Sequence, residues 1–255
     1  MNAEIKGTTM PVLEMSLEVN EAVISTHGEL SWMTPNMQMS QTTSSGDATK
    51  GHGIMSSLKR MVGGGGLFLT KYQATGGSGT VAFAAKLPGR ILPVEIANGN
   101  GYLVHRHGWI CGTPGITPSI GLQQSFRAGI YGRDGFMMQR LEGQGTAWVE
   151  LSGEIIQYSL APGQSLLVHP GHVGMFQDSV QFQITTVPGL SNIAFGGDGY
   201  HLVALTGPGD IWLQSMTMPI LAQALEPYLN AGNTQAAAQG GVVGGLAGEI
   251  FGKSV

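Results

Sequence analysis

The feature that most constrains this chain is an internal repeat marked by pairs of glycines. Gly135 and Gly145 enclose an alternating apolar run, and Gly199 and Gly209 enclose a second run of the same length. A third copy opens at Gly66 and is three residues longer. Because self-similarity at a fixed spacing is the signature of repeat architectures, we predict tandem copies of one β module.

Each copy consists of two alternating runs on either side of a Gly-containing loop, which predicts a β-hairpin. We place the copies at residues 1–78, 79–144 and 145–216, followed by a C-terminal helix and a flexible Gly/Ala-rich tail over 217–255. The alternative is that a Gly-rich β protein contains such similar segments without being a repeat protein.

The composition favours an all-β protein that hides part of its surface. Charged residues make up 11% of the chain and glycine occurs 41 times, whereas about a quarter of an average domain is charged. So few charges indicate a surface partly covered by other subunits. The net charge of −4 does not fit DNA binding, which needs a clustered basic face.

Two runs carry apolar residues on both faces of a predicted strand. Ala147 and Val149 lie on one face and Trp148 on the other, and the run around Trp212 repeats the arrangement. Such a strand is buried on both sides. We therefore expect one face inside its own sandwich and the other against a neighbouring repeat or subunit.

An insertion over residues 42–66 interrupts the first copy. Apolar residues of 54–62 share one helical face, which predicts a short helix. We interpret it as a lid over the end of the barrel, with a membrane-surface or partner-binding helix as the alternative. Gly63–Gly66 is not a phosphate-binding loop, because no Gly-Lys-Ser/Thr follows it.

The C-terminal region changes character after Thr217. Apolar residues share one helical face over 217–229, and Pro219 suits the first turn of a helix. The tail carries glycines four apart, a spacing that permits close helix packing in membranes. It is too short and too rich in glycine to span a bilayer, so we interpret it as flexible, with a membrane or self-association contact as the alternative.

Cysteine content and hydropathy predict a cytoplasmic protein. Cys111 is the single cysteine, which excludes an intrachain disulfide framework, and we interpret it as a small buried hydrophobic residue rather than a reactive thiol. The sequence shows no apolar signal segment at its start and no run of the roughly 18 apolar residues of a spanning helix.

The strongest metal-site candidates are the four histidines His105, His107, His169 and His172. The His-x-His pair at 105–107 resembles a cupin motif, but no carboxylate follows it four to five residues later. The repeat also separates His105 from His169, so we predict hydrogen-bonded histidines at strand ends. The sequence contains no Gly-x-Ser-x-Gly element and no pair of carboxylates. We therefore predict no catalytic residues, no metal site, no cofactor and no enzymatic activity.

Several segments together resemble a known family. They are the run from Pro35 to Arg60, the block Gly66–Leu69, the line from Ala161 to His172, the run Asn192–Gly199 and the ending Gly207–Gln214. Over residues 4–217 the chain resembles bacterial relatives of the mitochondrial biogenesis family called altered inheritance of mitochondria 24. The resemblance implies tandem double-stranded β-helix repeats with the fold of the trp RNA-binding attenuation protein, a TRAP-like fold, and the three copies counted above agree with it. It also implies a ring of three chains and no established enzymatic activity.

The similarity to an RNA-binding fold raises the question of RNA. Arg127, Arg133 and Arg140 are the candidate contacts, but they lie on separate elements with Asp134 and Glu142 interleaved. Single-stranded RNA binding needs a continuous basic groove with stacking aromatics, so the sequence does not favour it.

The sequence therefore predicts a non-enzymatic, ring-forming scaffold or interaction protein that assembles as a homotrimer. A protein partner or a membrane surface, reached through the insertion and the tail, is an open alternative for its contacts. Two other functions stay open: a ring that holds a small apolar molecule between adjacent repeats, and a metal-dependent cupin-like enzyme.

Overall fold

The computed structural model describes residues 1–43, 67–97, 99–124, 136–186 and 201–217, and residues 221, 222, 224, 225 and 228. Strands make up most of these residues, and the only other regular elements among them are short helical turns, which confirms the all-β prediction. The first strands are β1 (Asn2–Lys6), β2 (Val12–Leu17), β3 (Ala22–Thr26), β4 (Trp32–Met33), β5 (Met37–Thr43), β6 (Phe68–Ala74) and β7 (Gly79–Ala84). The next are β8 (Gly89–Ile96), β9 (Tyr102–His105), β10 (Trp109–Gly112), β11 (Ile116–Gln124), β12 (Phe136–Gly143) and β13 (Gly145–Ser152). The last are β14 (Ile155–Leu160), β15 (Ser165–Val168), β16 (Val173–Gln177), β17 (Gln181–Thr186), β18 (His201–Thr206) and β19 (Gly209–Gln214), with a 3-10 turn at Pro170–His172.

The chain divides into two compact units, Met1–Met216 and Thr217–Val255. The five described residues between 221 and 228 in the second unit are helical. The Leu221 N–H donates to the Thr217 carbonyl at 2.9 Å, an i to i−4 bond that opens this helix. A short helix therefore lies where the sequence predicts one, and the predicted flexible tail after it lies outside the described residues.

In the described part of the chain the strands form four antiparallel sheets. Sheet I has the order β1-β2-β7-β4, sheet II β5-β6-β3-β10-β13-β8, sheet III β11-β12-β9-β16-β19-β14, and sheet IV β15-β18-β17. Every strand pair in them is antiparallel, as expected for a chain whose alternating runs bury one face at a time.

One pairing order recurs along the chain. We call strands β2–β7 module 1, β8–β13 module 2 and β14–β19 module 3. In each module the first, sixth and third strands lie side by side, and so do the fourth, fifth and second. Neighbouring modules are joined edge to edge, because β3 pairs with β10 and β9 pairs with β16. The two central sheets are thus each shared by two modules.

The predicted hairpin in each copy is wrong. The two runs are consecutive strands in different sheets: β6 pairs with β5 and β3, whereas β7 pairs with β2 and β4. The glycine-rich loop between them carries the chain across the sandwich. Positive φ values at Gly76 (73°) and Gly143 (103°) suit such sharp corners, since a glycine has no Cβ to clash there.

The predicted repeat boundaries at residues 79 and 145 fall just before β7 and β13, the strands that complete the pairing of modules 1 and 2. If the chain is divided so that each copy forms one complete sandwich, the boundaries lie after these two strands instead. A tandem repeat can be divided at any phase, so the boundaries stay a prediction.

The core fills the three spaces between the four sheets. One cluster of buried side chains lies between sheets I and II, a second between II and III, and a third between III and IV. Trp148 belongs to the first cluster, while Ala147 and Val149 belong to the second. The prediction that this strand is buried on both faces is confirmed. Ala147 and Val149 lie inside the sandwich of module 2, and Trp148 lies on the face that is covered by module 1.

The insertion begins two residues later than predicted, because Thr42 and Thr43 still pair with Leu69 and Phe68 of β6. Residues 44–66, including the predicted helix over 54–62, lie outside the described residues. They connect the fourth and fifth strands of module 1, and 125–135 and 187–200 make the same connection in modules 2 and 3. The insertion is thus a longer form of a connection that every module has.

Candidate functional site

Two edge strands differ from the equivalent strands of the other modules, which have a hydrogen-bonded neighbour on both sides. We use counterpart for residues that occupy the same place in the pairing of two modules; between modules 2 and 3 they are 64 positions apart, as Trp148 and Trp212 are. Strand β4 is the counterpart of β10 and β16, and β15 is the counterpart of β3 and β9. Within the described residues, β4 pairs only with β7 and β15 only with β18.

Side-chain exposure separates these edges from their paired counterparts. Trp32 on β4 is 50% exposed, whereas its counterparts Cys111 and Met175 are 0% and 1% exposed. Leu167 on β15 is 55% exposed, whereas its counterpart Ile24 is 5% exposed. Apolar residues occupy these positions in all modules, and in the described part of the chain the exposed ones lie on strands with a neighbour on one side only.

A second apolar patch lies beside the open edge of sheet IV. Ile156 and Tyr158 on β14 are 50% and 45% exposed. Their counterparts Leu92 and Val94 belong to the core between sheets II and III, where Trp212 of module 3 packs with them. No module follows module 3 within the described residues to supply such a cover.

The geometry of the two edges fits strand pairing. Among the described strands, none pairs with the free side of either edge, and such a row of backbone N–H and C=O groups is the usual template for adding a strand. The internal junctions β3–β10 and β9–β16 show that a second strand of one module and a third strand of the next pair antiparallel. The edges β15 and β4 are one such second strand and one such third strand.

The four candidate histidines lie in two separate modules. His105 is on β9 and donates its Nε2–H to the Glu150 carbonyl at 3.0 Å. Burial lowers the pKa of His105 to about 4, so the ring is neutral at pH 7. In module 3, His172 makes a bond of 2.8 Å from Nδ1 to the carbonyl of Gln214, the counterpart of Glu150. Both histidines are hydrogen-bonded, as predicted.

The remaining two histidines, His107 and His169, lie near His105 and His172, respectively. The rings of His169 and His172 meet edge to face with centroids 5.8 Å apart. Burial and the neighbouring Arg106 lower the pKa of His107. No three His, Cys, Asp or Glu side chains of the described ranges are arranged to hold a metal ion.

Glu150 has a role that sequence reasoning missed. It is 3% exposed, and both carboxylate oxygens accept the backbone N–H of Lys86 at 3.2 Å. Its counterpart Gln214 uses Oε1 in the same way on the Ser152 N–H at 3.1 Å. Glu150 thereby connects module 2 to the segment that follows β7, and Gln214 connects module 3 to the end of β13. Burial raises the pKa of Glu150.

Two other predicted features can be placed. Cys111 is fully buried, its Sγ–H donates to Met15 Sδ at 3.8 Å, and burial raises its pKa well above the usual value, which fits the predicted inert residue. Arg140 forms ion pairs with Glu142 at 2.7 Å and Asp178 at 3.0 Å, so acidic groups compensate its charge. Arg127 and Arg133 lie outside the described residues.

The described part of the chain has no helix long and apolar enough to cross a membrane.

Comparison with known proteins identifies the family. A crystal structure of a Streptococcus pyogenes protein matches the fold with a TM-score of 0.68 at 21% sequence identity, covering 89% of this chain and 99% of that one. No curated protein matches the sequence. The model of the family described as mitochondrial biogenesis AIM24 matches residues 3–216. The chain therefore belongs to the mitochondrial biogenesis AIM24 family.

Proposed function

We propose that this chain is the subunit of a closed ring and that the ring is a non-enzymatic scaffold or interaction module. In this assembly β15 of one chain pairs with β4 of the next. The observation that carries the proposal is that the open edges are the counterparts of the strand pairs that already join modules 1 and 2 and modules 2 and 3.

The internal junctions also fix a register for the proposed contact. Cys111 lies opposite Ser25, and Met175 lies opposite Val104. The corresponding residues at the open edges are Trp32 and Val168, so these two should face each other across the subunit boundary. One position further along, Met33 should face Leu167.

The contact covers apolar surface that a single chain leaves in water. Trp32 and Leu167 become interior residues, and the first module of the next chain lies over Ile156 and Tyr158. Large apolar side chains contribute about 1.5–3 kcal/mol each when fully buried, and these four are about half exposed. Their burial therefore supplies several favourable contributions of about 1 kcal/mol each.

The contact joins two different surfaces, so it is head to tail. Such contacts close into a ring when the rotation per subunit permits and grow into filaments otherwise. The family resemblance implies closure with three chains, which gives a ring of nine modules. We place this ring in the cytoplasm, since a single buried cysteine has no need of an oxidising compartment.

The scaffold part of the proposal rests on how the candidate catalytic groups are used. His105 and His172 are tied to backbone carbonyls, and Glu150 is tied to a backbone N–H. These contacts are structural, so these three groups hold strands and links together.

Cysteine cross-linking of the whole chain tests the contact and its register. With Met33→Cys and Leu167→Cys in one chain, oxidation should link subunits into covalent trimers, while each single variant should not cross-link. The control pairs Met33→Cys with Ser165→Cys, which lies two residues out of register on the same strand face. Native mass spectrometry should give a trimer for the unmodified protein. A monomer, or equal cross-linking of both pairs, would refute the proposed assembly.

A further inference from the structure

One cross-strand pair of side chains differs between module 1 and the other two modules. The pair joins the third and the sixth strand of each module. Its members, named third strand first, are Trp32 and Ala82 in module 1, Cys111 and Trp148 in module 2, and Met175 and Trp212 in module 3. Each module thus has one tryptophan in this pair. In modules 2 and 3 it lies on the sixth strand, and in module 1 it lies on the third strand, β4, which is an edge in the described sheets.

In modules 2 and 3 this pair packs against the preceding module, and the contact can be followed to one atom pair. Cys111 of module 2 donates its Sγ–H to Met15 Sδ of module 1 at 3.8 Å. Cys111 also lies opposite Ser25 in its sheet. The third-strand residue therefore pairs along the sheet with the second strand of the preceding module, while its side chain crosses the sandwich to the first strand of that module.

The receiving position on the first strand changes as well. The counterparts of Met15 are Val94 in module 2 and Tyr158 in module 3. Val94 lies in the same core cluster as Met175, the third-strand residue of module 3. The receiving residue is therefore non-aromatic at both internal junctions, and it is aromatic only in module 3, which no module follows in the described residues.

Both changes leave an aromatic side chain half in water in the single chain. Trp32 is 50% exposed and Tyr158 is 45% exposed. Cys111 and Met15, which occupy these two positions at the first internal junction, are each 0% exposed. Two positions that touch within the chain thus carry exposed aromatic residues at its two open ends. Tryptophan and tyrosine are the residues most often found at the energetic centre of a protein–protein contact.

We infer that Trp32 of one subunit packs against Tyr158 of the preceding subunit, and that this aromatic pair determines the affinity of the subunit contact. The inference rests on the proposed pairing of β15 with β4 and adds the side chains that make this pairing strong. It agrees with the register given above, in which Trp32 faces Val168 along the sheet as Cys111 faces Ser25. The partner is a second copy of the chain, because the two aromatic residues lie at opposite ends of the module series.

A double-mutant cycle on the full-length protein tests the pair. Dilution series followed by native mass spectrometry measure the subunit contact in Trp32→Ala, Tyr158→Ala and the double variant. Each single change should weaken the contact about thirtyfold, the equivalent of about 2 kcal/mol. The double variant should be weakened about fivefold less than the product of the two single effects, because the contact between the rings is lost only once.

The control is Met39→Ala, which truncates a half-exposed apolar side chain on β5 of sheet II and should leave the contact unchanged. Circular dichroism checks that each variant is folded. Single variants that assemble like the unmodified protein, or two effects that simply multiply, would overturn the inference.

A second variant tests the position of the tryptophan rather than its presence. Trp32→Cys combined with Ala82→Trp gives module 1 the pair found in module 2. The indole then leaves the strand that reaches Tyr158, so the subunit contact should weaken at least tenfold. If this variant assembles as well as the unmodified protein, the inference is wrong.

Failure of the inference can be told apart from failure of the proposed ring. Cross-linking of Met33→Cys with Leu167→Cys reports the strand pairing in a chain that keeps Trp32 and Tyr158. If this cross-link forms while the aromatic variants assemble normally, the ring stands and only the inference is overturned. If the unmodified protein is a monomer and no cross-link forms, both are overturned.

Discussion

Glu150 and Gln214 occupy the same position in modules 2 and 3 and perform the same task with different charge. Each accepts a backbone N–H from the end of the preceding module, Lys86 just after β7 or Ser152 at the end of β13. Burial disfavours the ionised form of Glu150 and raises its pKa. The amide of Gln214 performs the task without that cost, and its Nε2 also donates to the Gly171 carbonyl at 3.2 Å.

We predict that Glu150→Gln makes the protein more stable at pH 7, whereas Glu150→Ala makes it less stable because the Lys86 N–H loses its acceptor. The pKa of Glu150 is higher in the folded state than in the unfolded state. The advantage of the Gln variant is therefore full at neutral pH and disappears as the pH falls below the unfolded value. Urea unfolding of the three proteins at pH 7 and pH 4 measures this. Glu154→Gln, at an exposed position 3.7 Å from Arg90, is the control and should change nothing. Equal loss of stability in the Gln and Ala variants would contradict the prediction.

His105 makes the opposite contribution to pH dependence. Burial lowers its folded pKa from 6.5 to about 4, so the unfolded chain takes up a proton first as the pH falls. Its contribution is present above pH 6.5 and is lost between pH 6.5 and about 4, at about 1.4 kcal/mol per pH unit.

We predict that His105→Gln, which keeps an N–H to donate to the Glu150 carbonyl, flattens the loss of stability between pH 6.5 and pH 4. Unfolding free energies of both proteins across this range give the slopes. His27→Gln, a change at an exposed histidine, should leave the slope as it is in the unmodified protein. An unchanged slope for His105→Gln would show that other groups control the acid response.

At the scale of elements, the sequence predicted which runs are strands and which faces they bury, because alternation reports burial directly. Trp148 with its neighbours Ala147 and Val149 is the clearest case. Strand partners could not be predicted in the same way. The loop between β6 and β7 contains the glycines of a hairpin, but it connects two sheets, and a run of alternating residues carries no information about which strand lies beside it.

Part of the candidate sites was nevertheless accessible from the repeat. Aligning modules 2 and 3 places Gln139 against Val203 and Trp109 against Val173, so polar groups at core positions are visible in sequence once the register is known. The glycine pairs at 135 and 145 and at 199 and 209 already give this register in the sequence, and the strand pairing agrees with it. Trp109 Nε1 and Gln139 Oε1 are buried without a hydrogen-bond partner, and this depends on the space around them, which only the packed structure gives.

At the scale of the whole molecule, the three modules are joined in series through shared sheets. Its two central sheets are each shared by two modules, while sheets I and IV are the halves that remain at the ends. Joining sheet IV of one chain to sheet I of the next produces a shared sheet of the same kind. The low charge content fits this arrangement, since part of the surface becomes interior.

Leu167→Lys should prevent the proposed ring from forming and give folded monomers. A lysine on an edge strand opposes the addition of another strand, and at this position it would also have to be buried opposite Met33 of the next subunit. Leu167 is largely exposed in the single chain, so the fold itself should be preserved. Native mass spectrometry gives the assembly state, and circular dichroism gives the fold. Val19→Lys changes a similarly exposed apolar residue (50% exposed) in the turn between β2 and β3 and not on β4 or β15, so this variant should remain a trimer. If Leu167→Lys also remains a trimer, the subunits are joined through a surface other than β4 and β15.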